Sequence, residues 1–442
     1  MARDFLGNQI HLADPASVAA VDDFVGGFIA CEARVTNILA AAEHDDSVIV
    51  QACVAALHLF AESPDGAVNA RPHLERAARS RVPASERELR FLGAVRAWAA
   101  NDIAVALRLL DEQVHAHPRD LAALKLGQYL LFNLGDSPGM LRLALAAQHA
   151  AADVPYLHGM AAFAYEQCHL LPEAERSARQ AIGLLRKEPW AHHALAHVML
   201  TEGRIEEGRA FLAEVSDSWV GLNSFMETHN WWHLALFLIE QDAHAAALEL
   251  YDRHVWGVCK VYSQDQIGAV SLLARLELSG VDVGGRWADV GAHLSARTHD
   301  QVQPFLDMQY LYGLARAGRS EAEELLHQVE AYAPHAPVLT RDAWQRVAVP
   351  ACRGLLAHAR GDHARVVDEL GIALPRLLEI GGSHAQRDLF EQIYIDALIR
   401  SGRLVAAQNL LQQRVRANPE SLRLQRQLEP VCQRLGLPQL PR

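Results

Sequence analysis

The sequence predicts an all-α protein, a solenoid of stacked helical hairpins, from three observations. Apolar residues recur at spacings of three and four, and Ala, Leu, Glu, Arg and Gln dominate while β-branched runs stay short. Short polar breaks return every 33 to 43 residues along most of the chain. Of the 442 residues, 50% are hydrophobic, which is enough apolar surface to bury and leaves little reason to expect disorder.

The breaks set the elements in order. They fall at Ala100-Asn101-Asp102, Gly135-Asp136, Cys168-His169, Glu202-Gly203, Gln241-Asp242, Ser279-Gly280, Ala317-Gly318, Arg360-Gly361-Asp362 and Ser401-Gly402. Each is read as the tight turn inside a helix-turn-helix unit. After the first break come Ala106, Leu110 and Pro118; after the last come Ala407, Leu411 and Pro419 at the same mutual spacings. Small residues there let two helices approach, and proline marks a helix end. This is the tetratricopeptide pattern, so the expected architecture is a tetratricopeptide-like α-α superhelix. Residues 1–85 read as irregular N-terminal hairpins, 86–424 as repeats and 425–442 as a cap or tail, all in one continuous array. Ala61-Glu-Ser-Pro-Asp-Gly66 and Val281-Asp-Val-Gly-Gly-Arg-Trp287 interrupt the rhythm, but neither has linker length or composition.

Charge narrows the partners. The net charge of −12 is spread without a basic run, which argues against nucleic acid and anionic membrane surfaces. The six cysteines lie far apart with no CxxC pair, as in a reducing compartment. The start of the chain lacks an apolar signal region, and no uncharged apolar run nears the roughly 20 residues of a membrane span. A cytoplasmic protein is expected.

Two histidine pairs stand out. His193 and His197 are four residues apart, and so are His229 and His233; each pair shares one helix face. The pairs are offset by 36 residues, one repeat length, which predicts neighbouring first helices facing a concave groove. Imidazoles there can bind a divalent metal, move protons near neutral pH or hold an anion. The bland alternative is that they hydrogen-bond backbone carbonyls and lock hairpins together. His158 lies one repeat earlier and could extend the row. Asn230 follows His229, so there is no HExxH, and Glu227 and Asp252 are the nearest acidic candidates for a further ligand. Of Trp231 and Trp232, one is expected in the core, while the other could stack on a bound group. Asp252 and His254 end the next helix, where the Asp could orient an imidazole or join a helix-end network. Gly381-Gly382-Ser383 reads as a helix stop and N-cap, placing Gln386, Arg387 and Asp388 in a first turn. That turn could hold an anion, or its charges could make ion pairs between hairpins.

Several segments together resemble the tetratricopeptide repeat protein 38 family: His193-Ala-Leu-Ala-His197, the run His229-Asn-Trp-Trp-His-Leu-Ala-Leu-Phe-Leu-Ile-Glu240, Tyr251-Asp-Arg-His254, Arg286-Trp-Ala-Asp-Val290 and Gly381-Gly-Ser-His-Ala-Gln-Arg-Asp388. The likeness runs in order from about Phe24 to Leu424. It implies an α-helical superhelix and signature positions at His193, His197, His229, Asn230, His233, Asp252, His254, Gln386, Arg387 and Asp388. His384 departs, since relatives commonly carry Asn there, and His158 is outside the signature. The resemblance supplies no activity.

Two functions remain open from sequence. One is binding of a small molecule or peptide partner in a histidine-lined groove, with those ten signature residues as ligand-binding candidates. The other is an enzyme acting on a small molecule, with His193, His197, His229 and His233 as acid-base groups or metal ligands. No GxSxG, Walker, GxGxxG or CxxC motif occurs, and the sequence requires no cofactor.

Overall fold

The computed structural model describes residues 2–437; the end of the predicted C-terminal cap, 438–442, lies outside the described residues. The protein is all-α. Its strands among the described residues are a two-residue antiparallel pair, Ala2–Arg3 with Gln9–Ile10.

The breaks are hairpin turns with a common mechanism. At each one, a residue in the left-handed region ends the first helix: Asn101, Gly135, His169, Gly203, Asp242, Gly280, Gly318, Gly361 and Gly402. The next N–H then reaches back five residues, as in Asp102 to Ala97, Asp136 to Leu131, Arg204 to Met199, Asp362 to Ala357 and Arg403 to Leu398. This bond satisfies a carbonyl the helix end would leave orphaned. Where Asp follows the turn it also caps the second helix: Asp102, Asp136 and Asp362 accept from Val105, Gly139 and Arg365. The repeat residues Ala106, Leu110, Ala407 and Leu411 are all fully buried.

Two compact units are present, one comprising residues up to Ala194 with Ser218–Met226, the other Leu195–Asp217 with the residues from Glu227 onward. The boundary falls inside helices Pro189–Thr201 and Ser224–Glu240.

In the first unit, helix Val18–Ala30 precedes the hairpins Val48–Leu59/Pro64–Arg79, Glu86–Ala99/Ile103–Ala116, Leu121–Asn133/Ser137–Ala147 and Pro155–Gln167/Leu171–Leu184. First helices such as Leu121–Asn133 and Pro155–Gln167 are buried nearly all round, whereas second helices bury one stripe. Val18–Ala30 packs on Leu121–Asn133, so the first unit folds back on its own N-terminal helix.

In the second unit, the hairpins run Ser224–Glu240/His244–Leu250, Ser263–Leu278/Arg286–Leu294, Pro304–Arg316/Glu321–Tyr332, Val349–Ala359/His363–Ala373 and His384–Arg400/Leu404–Ala417, then helix Leu422–Arg434. Two π-helical turns, Tyr251–Val255 and Trp344–Ala348, lengthen these repeats beyond what periodicity suggests. The last helix returns to the first hairpin: Arg423 pairs with Glu240 at 2.7 Å, Ser421 bonds the same carboxylate, and Arg426 pairs with Asp242 at 2.5 Å. None of the six cysteines forms a disulfide, and Cys168 and Cys259 are only half-buried. No helix of the described residues is long and apolar enough to cross a membrane.

Candidate metal centre

Helix Ser224–Glu240 sets His229 and His233 on one face, and His197 comes from helix Pro189–Thr201. Helix Ile205–Val215 approaches Phe237 so closely that a Cβ on Gly208 would stand 2.3 Å from its ring, which explains the glycine. Within the second unit the three imidazoles converge. Ring centroids are 4.6 Å apart for His197 and His233, and 4.7 Å for His229 and His233. Each offers a ring nitrogen, and these nitrogens lie within 4.8 Å of one another, so the group could hold a metal ion.

The rings are interior. His197, His229 and His233 are 1%, 8% and 0% exposed, where the sequence reading placed them along a groove. The difference arises because first helices in this unit are covered on both sides. Trp232 contributes one cover: it is buried and stacks on His229 at 5.2 Å with planes 8° apart. Burial, with the neighbouring His197, pushes the His229 pKa down to about 3. A neutral imidazole keeps a lone pair for a metal but is a poor proton acceptor near neutral pH. Asn230 is fully buried beside His229, and its amide has no hydrogen-bond partner among the described residues.

His193 lies one turn before His197 on the same helix but belongs to the first unit. It is 2% exposed, and its ring packs 4.9 Å from Phe163 and 5.2 Å from Trp190. His158, also buried, bonds the Ala152 carbonyl at 2.8 Å, the structural role expected of a lone histidine.

The remaining signature positions occupy a shell and its surroundings. Arg275, 2% exposed, lies over the Trp232 ring at 5.3 Å and donates to Ser271 and the Ala385 carbonyl. Burial pushes its pKa down to about 10. Asp388 stands 4.0 Å from Arg275 and bonds Arg414 and Gln392. Burial alone would raise the Asp388 carboxyl, but Arg414 and Arg275 hold it at about 2. His229, Trp232, Arg275 and Asp388 thus form one chain of contacts. Ser383 and Gln386 make a capping box, and Arg387 is spent on the Gly381 and Gly382 carbonyls and His384. Asp252 faces Arg286 in a two-pronged pair at 2.8 and 2.6 Å rather than an imidazole. Trp232 is the tryptophan in the core, and half-buried Trp231 stacks on His254 at 4.0 Å.

Sequence reasoning passed over a second group. His358, His363 and Asp396 also bring ligand atoms within 4.8 Å of one another. Tyr312 and Asp396 flank His358, with Oη 2.9 Å from Nδ1 and Oδ2 3.1 Å from Nε2. Its signal is faint: two histidines across the Gly361 turn and a carboxylate on the next first helix.

No family model matches the chain. A solved structure titled "Structure of Naa15/Naa10 bound to HypK-THB" is similar at a TM-score of 0.26, with 13% identity, covering 95% of this chain and 66% of that one.

Proposed function

We propose that this tetratricopeptide-like repeat protein binds a divalent transition metal through His197, His229 and His233. The observation that carries the reading is the convergence of three buried imidazole nitrogens from two helices, within 4.8 Å of one another. A set of three imidazoles suits zinc. The depressed pKa of His229 supports a ligand over an acid-base role. Trp232 and Arg275 would limit water and fix ring orientation. Burial of the rings favours this over an open peptide groove. The signature segments support membership of the tetratricopeptide repeat protein 38 family, and the absence of disulfides supports a reducing, cytoplasmic location.

Protein purified without chelators should carry about one equivalent of zinc per chain by elemental analysis. His229→Ala with His233→Ala should lose it while keeping helical circular dichroism. Cobalt substitution should give the visible bands of a four-coordinate centre. Protein that arrives metal-free, and takes up neither zinc nor cobalt, defeats the reading.

A further inference from the structure

In the first unit a lysine ends in the interior. Lys125 sits on helix Leu121–Asn133 and is 8% exposed. Its Nζ donates to the Ile29 carbonyl at 3.1 Å and lies 3.1 Å from Cys31 Sγ. The Trp190 and Phe28 rings close over it, with centroids 4.6 and 5.5 Å from Nζ. Burial pushes the Lys125 pKa down from its ordinary value, although Cys31 and Glu188 pull the other way. The amine therefore has easier access to its free-base, nucleophilic form than a solvated lysine does.

Cys31 is held in an unusual place. It caps helix Val18–Ala30 in the left-handed region, at φ 54°, where glycine is the customary residue. Its N–H bonds the Gly27 and Phe28 carbonyls, and its own carbonyl accepts from Asn223 at 2.7 Å. The backbone turn alone would be better served by glycine. The side chain kept there is a buried thiol in contact with a buried amine.

We propose that Cys31 and Lys125 form a peroxide-driven, thiol-reversible covalent cross-link, a sulfenamide. The Cys31 thiol passes its proton to the adjacent amine, and the thiolate attacks one peroxide oxygen. An S–O bond forms, the O–O bond breaks, and one water leaves. Lys125, returned to the free amine, attacks the sulfenic sulfur; the S–N bond forms and the second water departs. Cysteine sulfur loses two electrons, and hydrogen peroxide is reduced to two waters. Two molecules of an external thiol reverse the step, releasing thiol and amine and leaving one disulfide. The flexible lysine stem supplies the travel from contact to bond. The link would staple the end of helix Val18–Ala30 to helix Leu121–Asn133, joining positions 94 apart in sequence.

The test is peptide mapping of the full chain after treatment with hydrogen peroxide, before and after dithiothreitol. The expected result is a joined pair of peptides carrying Cys31 and Lys125, lighter than their sum by about 2 Da. Trypsin should no longer cut after Lys125, and dithiothreitol should restore both peptides. In Lys125→Arg, which keeps the cation, Cys31 should instead proceed to sulfinic acid. The proposal is overturned if wild-type Cys31 becomes sulfinic acid with Lys125 unmodified. It also fails if Cys31 stays a thiol at peroxide doses that oxidise the half-buried Cys259.

Discussion

Glu188 shows how much a single residue's setting can decide. It precedes helix Pro189–Thr201 and accepts from the Ala191 N–H, a capping role that a solvated carboxylate could fill. Yet it is completely buried, and that burial pushes its pKa up to about 8 from an ordinary 4.5. Between those values the folded protein keeps a proton that the unfolded chain has released. Stability contributed by this group is therefore intact below about 4.5 and lost as pH rises toward 8. Glu188→Gln should flatten that slope and raise stability at pH 8 by about 2 kcal/mol, measured by urea unfolding at pH 5 and pH 8. An unchanged slope would mean that the carboxyl is ionised inside the fold. Nothing in the sequence marks Glu188 or Lys125, because a charged side chain on a helix reads as solvated until its neighbours are known.

Between helices, close approach reverses what local propensity suggests. Gly268 and Gly313 both sit inside helices, where alanine is intrinsically better. A Cβ on Gly313 would stand 2.4 Å from a Leu294 methyl and 2.7 Å from a Val270 methyl, so both side chains would have to give way. A Cβ on Gly268 meets nothing within 4 Å. Gly313→Ala should destabilise by about 2 kcal/mol, and Gly268→Ala should stabilise by about 0.5 to 1 kcal/mol. Denaturation midpoints of the two variants moving in the same direction would contradict the packing described. The hairpin turns lie at the opposite extreme. Eight of the nine left-handed turn residues, all but His169, were legible because Gly, Asn and Asp at a helix end announce that conformation by their chemistry. The π-helical turns were not legible, since one extra residue leaves the apolar periodicity nearly unchanged.

Across the second unit, closure depends on a buried ion pair. Arg423 and Glu240 are 4% and 12% exposed, and the arginine donates to Oε1 from both Nε and Nη2 at 2.9 and 2.7 Å. Glu240 ends the helix that carries His229 and His233. Removing one partner leaves an uncompensated buried charge, so Arg423→Ala should destabilise the protein by about 3 kcal/mol. Hydrogen exchange should rise at the C-terminal end of helix Ser224–Glu240. Exchange confined to helix Leu422–Arg434 would mean that the closure does not support the histidine helix. Arg423 and Glu240 are 183 positions apart, a separation at which no periodicity links them.

By itself the sequence determined what local chemistry can determine. The all-α class, the repeat length, the turn residues, the cap at Ser383, and the shared helix face of each histidine pair follow from interactions within a few residues. Tertiary structure decided which faces are covered. It turned a row of imidazoles into an interior cluster, committed Asp252 to Arg286 and Arg387 to backbone carbonyls, and brought Lys125 against Cys31. Burial depends on the return of distant helices, and it is burial that separates the interior histidines of this cluster from solvated ones.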